Sequence, residues 1–147
     1  MKAITLWQPW ASLWLSPAKR FETRRWPTGI RGWVLVHAAK KLVRLLPADL
    51  DDVVQDEFGC SWPDNLPTGA LIGAVNLVGC HPTGLFAPHA GSDELACGDW
   101  TPGRFCWERD ESYQRFEIPI PYRGSQRFFF VPDSALPDGT RWHGPVS

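Results

Sequence analysis

The chain has 147 residues, of which 44% are apolar and 21% charged; this is about the length of one domain with one core, and a single domain is expected over it. No stretch approaches the roughly 18 consecutive apolar residues of a membrane span, so no membrane-spanning helix is expected. The formal net charge is only −1, yet residues 1–44 hold nine Lys or Arg against the single acid Glu22, while residues 45–147 hold six Arg against fifteen acids.

The first residues run directly into a patterned segment with no signal-peptide cleavage site, and a cytoplasmic protein is expected. Ala3 to Trp7 reads as a strand. Pro9 suits the first turn of a helix, where its missing N–H is not needed, and Trp10, Leu13 and Trp14 then share one helical face closed by Ser16-Pro17. Arg20 to Trp26 alternates as a second strand, with Glu22, Arg24 and Trp26 on one face and Phe21 and Thr23 on the other. After the Pro27-Thr28-Gly29 turn, Trp33 to Ala38 is apolar on both faces, the mark of a buried strand. Lys40 to Phe58 reads as helical with a break at Pro47; Leu50, Val53, Val54 and Phe58 repeat at helical spacing. Ala70 to Val78 is the strongest strand signal. Residues 81–103 lack periodicity and read as a long functional loop or lid. Strands follow near Arg104 to Trp107, Tyr113 to Ile120 and Gln126 to Val131.

With 9 Trp and 14 Pro, this order predicts an α+β fold: a small mixed β-barrel of about six strands, closed or nearly closed, with helices packed at its ends. The domain is expected over residues 1–131, with an irregular tail at 132–147. Cys60, Cys80, Cys97 and Cys106 form no CxxC pair. Buried free thiols are expected of them in preference to a zinc site, and no metal or cofactor is expected.

Three ordered blocks carry a family resemblance. They are Trp7-Gln8-Pro9-Trp10-Ala11, then Lys19-Arg20-Phe21-Glu22-Thr23-Arg24-Arg25-Trp26, then Arg31-Gly32-Trp33 through His37-Ala38-Ala39-Lys40. Together they resemble the opening of the ASCH domain family, and Gly69 to Val75 and Pro119 to Gln126 resemble its later strands. The sequence departs from the family pattern at Pro17-Ala18, where Gly-x often precedes the lysine, and at Arg127, where Gly often follows Gln126. The resemblance implies a PUA-like barrel with a cleft for RNA or nucleotides. Family members have been associated with RNA or coactivator binding, ribonuclease activity and hydrolysis of acylated cytidine. The hydrolytic type resembles a Lys-Thr-Glu set; its lysine maps to Lys19, but its threonine falls at Glu22.

From the residues themselves, Lys19 and Glu22 are candidates for proton transfer and Arg24 for a planar fork on phosphate oxygens. The same three residues also read as an ion network on a strand face. Trp26 and Trp7 offer faces on which a base can stack. Gln8, His37, Lys40 and Gln126 complete the candidate ligand-binding set; His37 also reads as a satisfied core histidine, and Gln126 as a backbone bonder at the barrel mouth. The leading expectation is an RNA- or nucleotide-binding module, with a modified nucleoside as one ligand. The alternatives are a metal-independent ribonuclease or acyl-cytidine amidohydrolase using Lys19, Glu22 and Arg24, and an adaptor binding protein partners.

Overall fold

A computed structural model describes residues 1–43, 45–59 and 65–136. Its strands are β1 (Lys2–Gln8), β2 (Phe21–Arg24), β3 (Gly32–Leu42), β4 (Ala70–Pro82), β5 (Phe105–Pro121) and β6 (Phe128–Phe130). The helices are α1 (Trp10–Trp14), α2 (Ala48–Phe58), α3 (Thr83–Phe86) and α4 (Ser92–Ala96), with 3-10 turns at Ala87–His89 and Asp133–Ala135. The fold is α+β, as the sequence indicates. All six strands form one mixed sheet in the order β2-β5-β4-β3-β1-β6, in which only β1 and β3 run parallel.

Alternation along the central strands builds a core on each face of this sheet. Ile4, Leu6, Val34, Val36, Val75 and Leu77 pack with Trp14 and Trp107 on one side. Ala3, Leu35, Leu71 and Ala74 pack with Val131 on the other. This is why Trp33 to Ala38 carries no polar alternation: β3 is covered on both faces. A third cluster joins α1 and α2 through Leu13, Leu50, Val53 and Val54. In α2 the acids Asp49 and Asp51 lie in the first turn, where they favour the helix dipole, and Gly59 ends the helix at φ +61°.

Four details depart from the sequence reading. The backbone ladder does not close into a barrel, since β2 and β6 remain the two edges of the sheet. Side chains span the gap instead: Trp107 of β5 stacks on Phe128 of β6 at 5.5 Å between ring centroids and 9° between planes. Lys40 to Leu42 extend β3 rather than starting a helix, because Leu42 still pairs with Gln8 of β1. The two strands expected between Arg104 and Ile120 are one, carried through its polar middle by pairing with β4. Segment 81–103 holds α3, α4 and a 3-10 turn, each too short to show a helical period. Arg127 has φ +59°, so the position where the family often has glycine keeps a glycine-like backbone here. Most of the expected tail, from residue 137 onward, lies outside the described residues.

Gly73 lies where the end of α1 meets the sheet: a methyl there would stand 2.1 Å from the Gln114 carbonyl oxygen and 2.7 Å from Leu15 Cδ1. Gly73→Ala is therefore expected to lower stability in urea unfolding by about 1–3 kcal/mol or more, since neither backbone nor a buried leucine can yield cheaply. Gly29→Ala, with nothing near the new methyl, is expected to change it by less than about 0.5 kcal/mol.

Candidate functional site

The Lys19-Glu22-Arg24 set is assembled at the edge strand β2, but Lys19 faces inward. Its side chain is wholly buried, and its ammonium donates to the carbonyls of Phe21 at 2.5 Å and Cys97 at 3.3 Å. Glu22 Oε1 lies 3.1 Å from the same nitrogen. Glu22 Oε2 accepts from Arg24 Nε at 3.0 Å, and another Arg24 nitrogen donates to the Thr5 carbonyl on β1 at 3.1 Å. The Arg24 guanidinium also lies 5.8 Å from the Trp26 ring centroid and 5.7 Å from that of Trp107. A buried ammonium is tolerated only when its protons are taken up, and here three acceptors do so.

Two residues that the sequence reading passed over complete this assembly. Glu94 of α4 accepts from the backbone N–H groups of Arg20 and Phe21, fastening the 83–103 segment to β2. Arg109 of β5 is almost fully buried and donates to the carbonyls of Trp14 at 2.8 Å, Ser16 at 2.7 Å and Lys19 at 3.0 Å. It gathers the carbonyls that α1 and its following turn leave unpaired. Both act at sequence separations too long for any local motif to show.

Two cavities flank this assembly. The larger, about 1040 Å³, is lined by Thr5, Trp7, His37, Lys40, Lys41, Arg123 and Gln126 among others, and no carboxylate among the described residues lines it. The smaller, about 590 Å³, is lined by Trp10, Glu22, Arg24, Leu50, Asp99 and Arg104 among others. Thr5 and Trp7 line both.

The candidates from sequence fall into three groups. Trp7, His37, Lys40 and Gln126 come together at the larger cavity. Glu22 and Arg24 line the smaller one, with Lys19 buried behind them. Gln8 and Trp26 line neither. Gln8 is fully buried, its amide donating to Ser12 Oγ at 2.7 Å and the Pro67 carbonyl at 2.9 Å while its oxygen accepts from the Ser12 N–H. Nothing of it is left for a ligand. Trp26 lies beyond the end of β2, which stops at Arg24, so it does not continue that strand's alternation.

His37 is 2% exposed. Its Nε2 lies 2.7 Å from the Tyr122 carbonyl and its Nδ1 3.1 Å from Thr5 Oγ1. Burial lowers its pKa below the ordinary value, against the opposing effect of the Tyr122 carbonyl; the ring is a neutral wall of the cavity. Burial also pushes the Cys97 thiol up to about 12 and that of Cys106 up to about 11, so both are unreactive thiols. Cys60 lies outside the described residues.

The ASCH domain model matches residues 4–123, which takes in every strand but β6 and all the residues of both cavities but Gly124, Ser125 and Gln126. The chain belongs to the ASCH domain family. Among curated relatives, activating signal cointegrator 1 of Mus musculus is 32% identical over 83 residues, and the Homo sapiens protein of that name is 35% identical over 80. Each match covers 52% of this chain but only 14% of the relative's length, so the likeness concerns one domain of a much longer protein.

Two outcomes are expected for this ASCH domain. Lys19→Ala removes a donor from the Phe21 and Cys97 carbonyls and leaves Glu22 paired with Arg24 alone, and each buried polar group left unpaired typically costs about 1–3 kcal/mol; a thermal melt should show the loss even without ligand. Glu94 is held above its ordinary pKa of 4.5 by burial, which outweighs Lys19 and the two backbone donors. The folded state thus holds that proton more tightly than the unfolded chain. Its contribution to stability is complete below 4.5 and is lost as pH rises through the folded value. Measured by urea unfolding at stepped pH, the stability of wild type relative to Glu94→Gln should fall across that window, since glutamine does not titrate.

Proposed function

We propose that this ASCH domain binds single-stranded RNA or a nucleotide in the larger cavity, as a cytoplasmic protein. The observation that carries this reading is the cavity wall itself: Lys40, Lys41 and Arg123 converge with Trp7 where, among the described residues, no carboxylate lies. Cations without counter-charges raise the local concentration of phosphates, and an aromatic face beside them suits an unstacked base. Trp7 is 49% exposed and lines the cavity. Trp26 is nearly as exposed at 45%, but one face lies toward the Arg24 guanidinium.

The hydrolase alternative has less support. It requires Lys19 and Glu22 to exchange protons with a substrate, and the Lys19 ammonium is sealed from the cavities by its three acceptors. A protein partner is the second reading, favoured by the name of the relatives, which calls them cointegrators, and by the half-exposed Trp7 and Trp26.

Filter binding of a short single-stranded RNA over a range of salt tests the reading. Affinity should fall steeply with salt, and Lys40→Ala, Lys41→Ala and Arg123→Ala should each flatten the slope by about 0.7, the value for one phosphate contact on a single strand. Trp7→Ala should weaken binding by about 1–3 kcal/mol with little change in slope. Binding that ignores salt, or no RNA binding at all, turns the reading toward the protein partner.

A further inference from the structure

The two cavities differ in charge so as to suit different halves of one ligand, an inference that rests on the RNA-binding reading above. In the larger, Lys40, Lys41 and Arg123 make no ion pair among the described residues. The smaller also holds two arginines, but each faces a carboxylate, Glu22, which Arg24 shares with the buried Lys19, and Asp99. Arg24 Nε is 3.0 Å from Glu22 Oε2, and Arg104 Nε is 3.6 Å from Asp99 Oδ2. Both guanidinium groups are further engaged with backbone, Arg24 with the Thr5 carbonyl and Arg104 with the carbonyls of Asp99 and Thr23.

A phosphate entering the smaller cavity would therefore lie beside two carboxylates and find no unengaged guanidinium. In the larger cavity it meets three unneutralised cations. A base carries no charge, and its preference is set by apolar contact and by acceptors for its N–H groups. The smaller cavity supplies both, through Leu6, Trp10 and Leu50 and through Asp99 at its rim. Only Thr5 and Trp7 belong to both walls, and Trp7 is the half-exposed indole between them. The larger volume, about 1040 Å³, already reaches the top of the range of roughly 300–1000 Å³ that encloses one small ligand. A single phosphate would leave most of it, and two of its three cations, unused.

We propose that the ligand is a single-stranded oligonucleotide from which one base turns out over Trp7 into the smaller cavity, while successive phosphates follow Lys40, Lys41 and Arg123 in the larger one. Trp7 separates the two compartments and stacks the turned-out base. A duplex does not fit this division, because its bases are paired and stacked inside it.

The test compares an RNA tetranucleotide carrying 2-aminopurine at an internal position with 2-aminopurine riboside monophosphate. Affinity, salt dependence and 2-aminopurine fluorescence are measured on the full chain, with a thermal melt for every variant. The tetranucleotide should bind at least about tenfold more tightly, with a salt slope steeper by about 0.7 for each added phosphate contact. Its fluorescence should be quenched on binding and shielded from acrylamide. Trp7→Ala should abolish the quench and keep the slope, and Trp7→Phe should restore part of the quench. Lys41→Ala and Arg123→Ala should flatten the slope and keep the quench at saturation. Ala96→Phe, which narrows the smaller cavity, should expose the bound base to acrylamide; Asp99→Tyr, at the rim, serves the same purpose should Ala96→Phe fail to fold. Equal affinity and slope for the two ligands would overturn the division while leaving nucleotide binding in place, as would tight binding of the tetranucleotide without quench or shielding. Binding of neither ligand would overturn the RNA reading itself and this inference with it.

Discussion

A lysine ammonium buried without water is tolerated only if every proton finds an acceptor, because several kcal/mol of desolvation must otherwise be met by the fold. Lys19 satisfies this with the Phe21 carbonyl at the start of β2, the Cys97 carbonyl just after α4 and the Glu22 carboxylate. Two of these acceptors lie in β2 and the third directly follows α4, both short elements. β2 is an edge strand of four residues, and α4 is a helix of five that no local sequence could stabilise in isolation. The ammonium makes their positions conditional on one another. Glu94 works in the opposite direction across the same seam, accepting from the backbone N–H groups of Arg20, just before β2, and of Phe21, its first residue. The segment that reads as a loose lid in the sequence is held by a buried cation and a half-buried anion, and it forms a fixed wall of the smaller cavity.

The chain of charge continues from Glu22 to Arg24 and from Arg24 to the Thr5 carbonyl on β1. This step crosses the opening that the backbone ladder leaves between the two sheet edges. Closing a sheet by strand pairing removes its edges but also fills the seam with backbone. Here a guanidinium, flanked by the Trp26 and Trp107 rings, takes the place of a ladder bond, and Trp107 reaches β6 by stacking on Phe128. Side chains span the seam at points, not along a line. Room for a cavity therefore remains on each side of Thr5 and Trp7. Incomplete closure of the sheet and the presence of the candidate site are one structural fact.

How far the sequence discloses this depends on the range of the interaction. Alternation in Ala3 to Trp7 and the double-sided apolar run of Trp33 to Ala38 reflect burial of each strand by its neighbours, and both strands are where the pattern puts them. Lys40 to Leu42 mislead because charged residues after an apolar run resemble a helix start; only pairing with β1 shows that the strand goes on. Lys19, Glu22 and Arg24 stand out as a motif, yet the motif is equally compatible with an exposed network. One of the three acceptors that hold Lys19 inward is the Cys97 carbonyl, 78 residues away. Arg109 contacts residues up to 95 positions distant and has no local signature, sitting in what reads as a polar gap between two strands. Gln8 shows the converse: its motif is plain, but the amide serves the turn into α1 and the Pro67 carbonyl.

The uneven charge of the two halves admits two accounts, a positive field aimed at an anion and mutual neutralisation within the fold. The structure divides the cations between them. Arg20 is paired with Glu108, Lys19 and Arg24 share Glu22, and Asp99 faces Arg104; these charges are absorbed near the seam, Arg20 by an acid from the other half of the chain. Lys40 and Lys41 escape this because β3 carries them past the seam to the far side of Trp7, where Arg123 joins them from the segment after β5. Arg123 comes from the acidic half, so the positive patch does not coincide with the basic half of the sequence. What determines it is which cations the strand order leaves without a carboxylate opposite. The same order that neutralises the smaller cavity leaves the larger one positive, and Trp7 stands where the two environments meet.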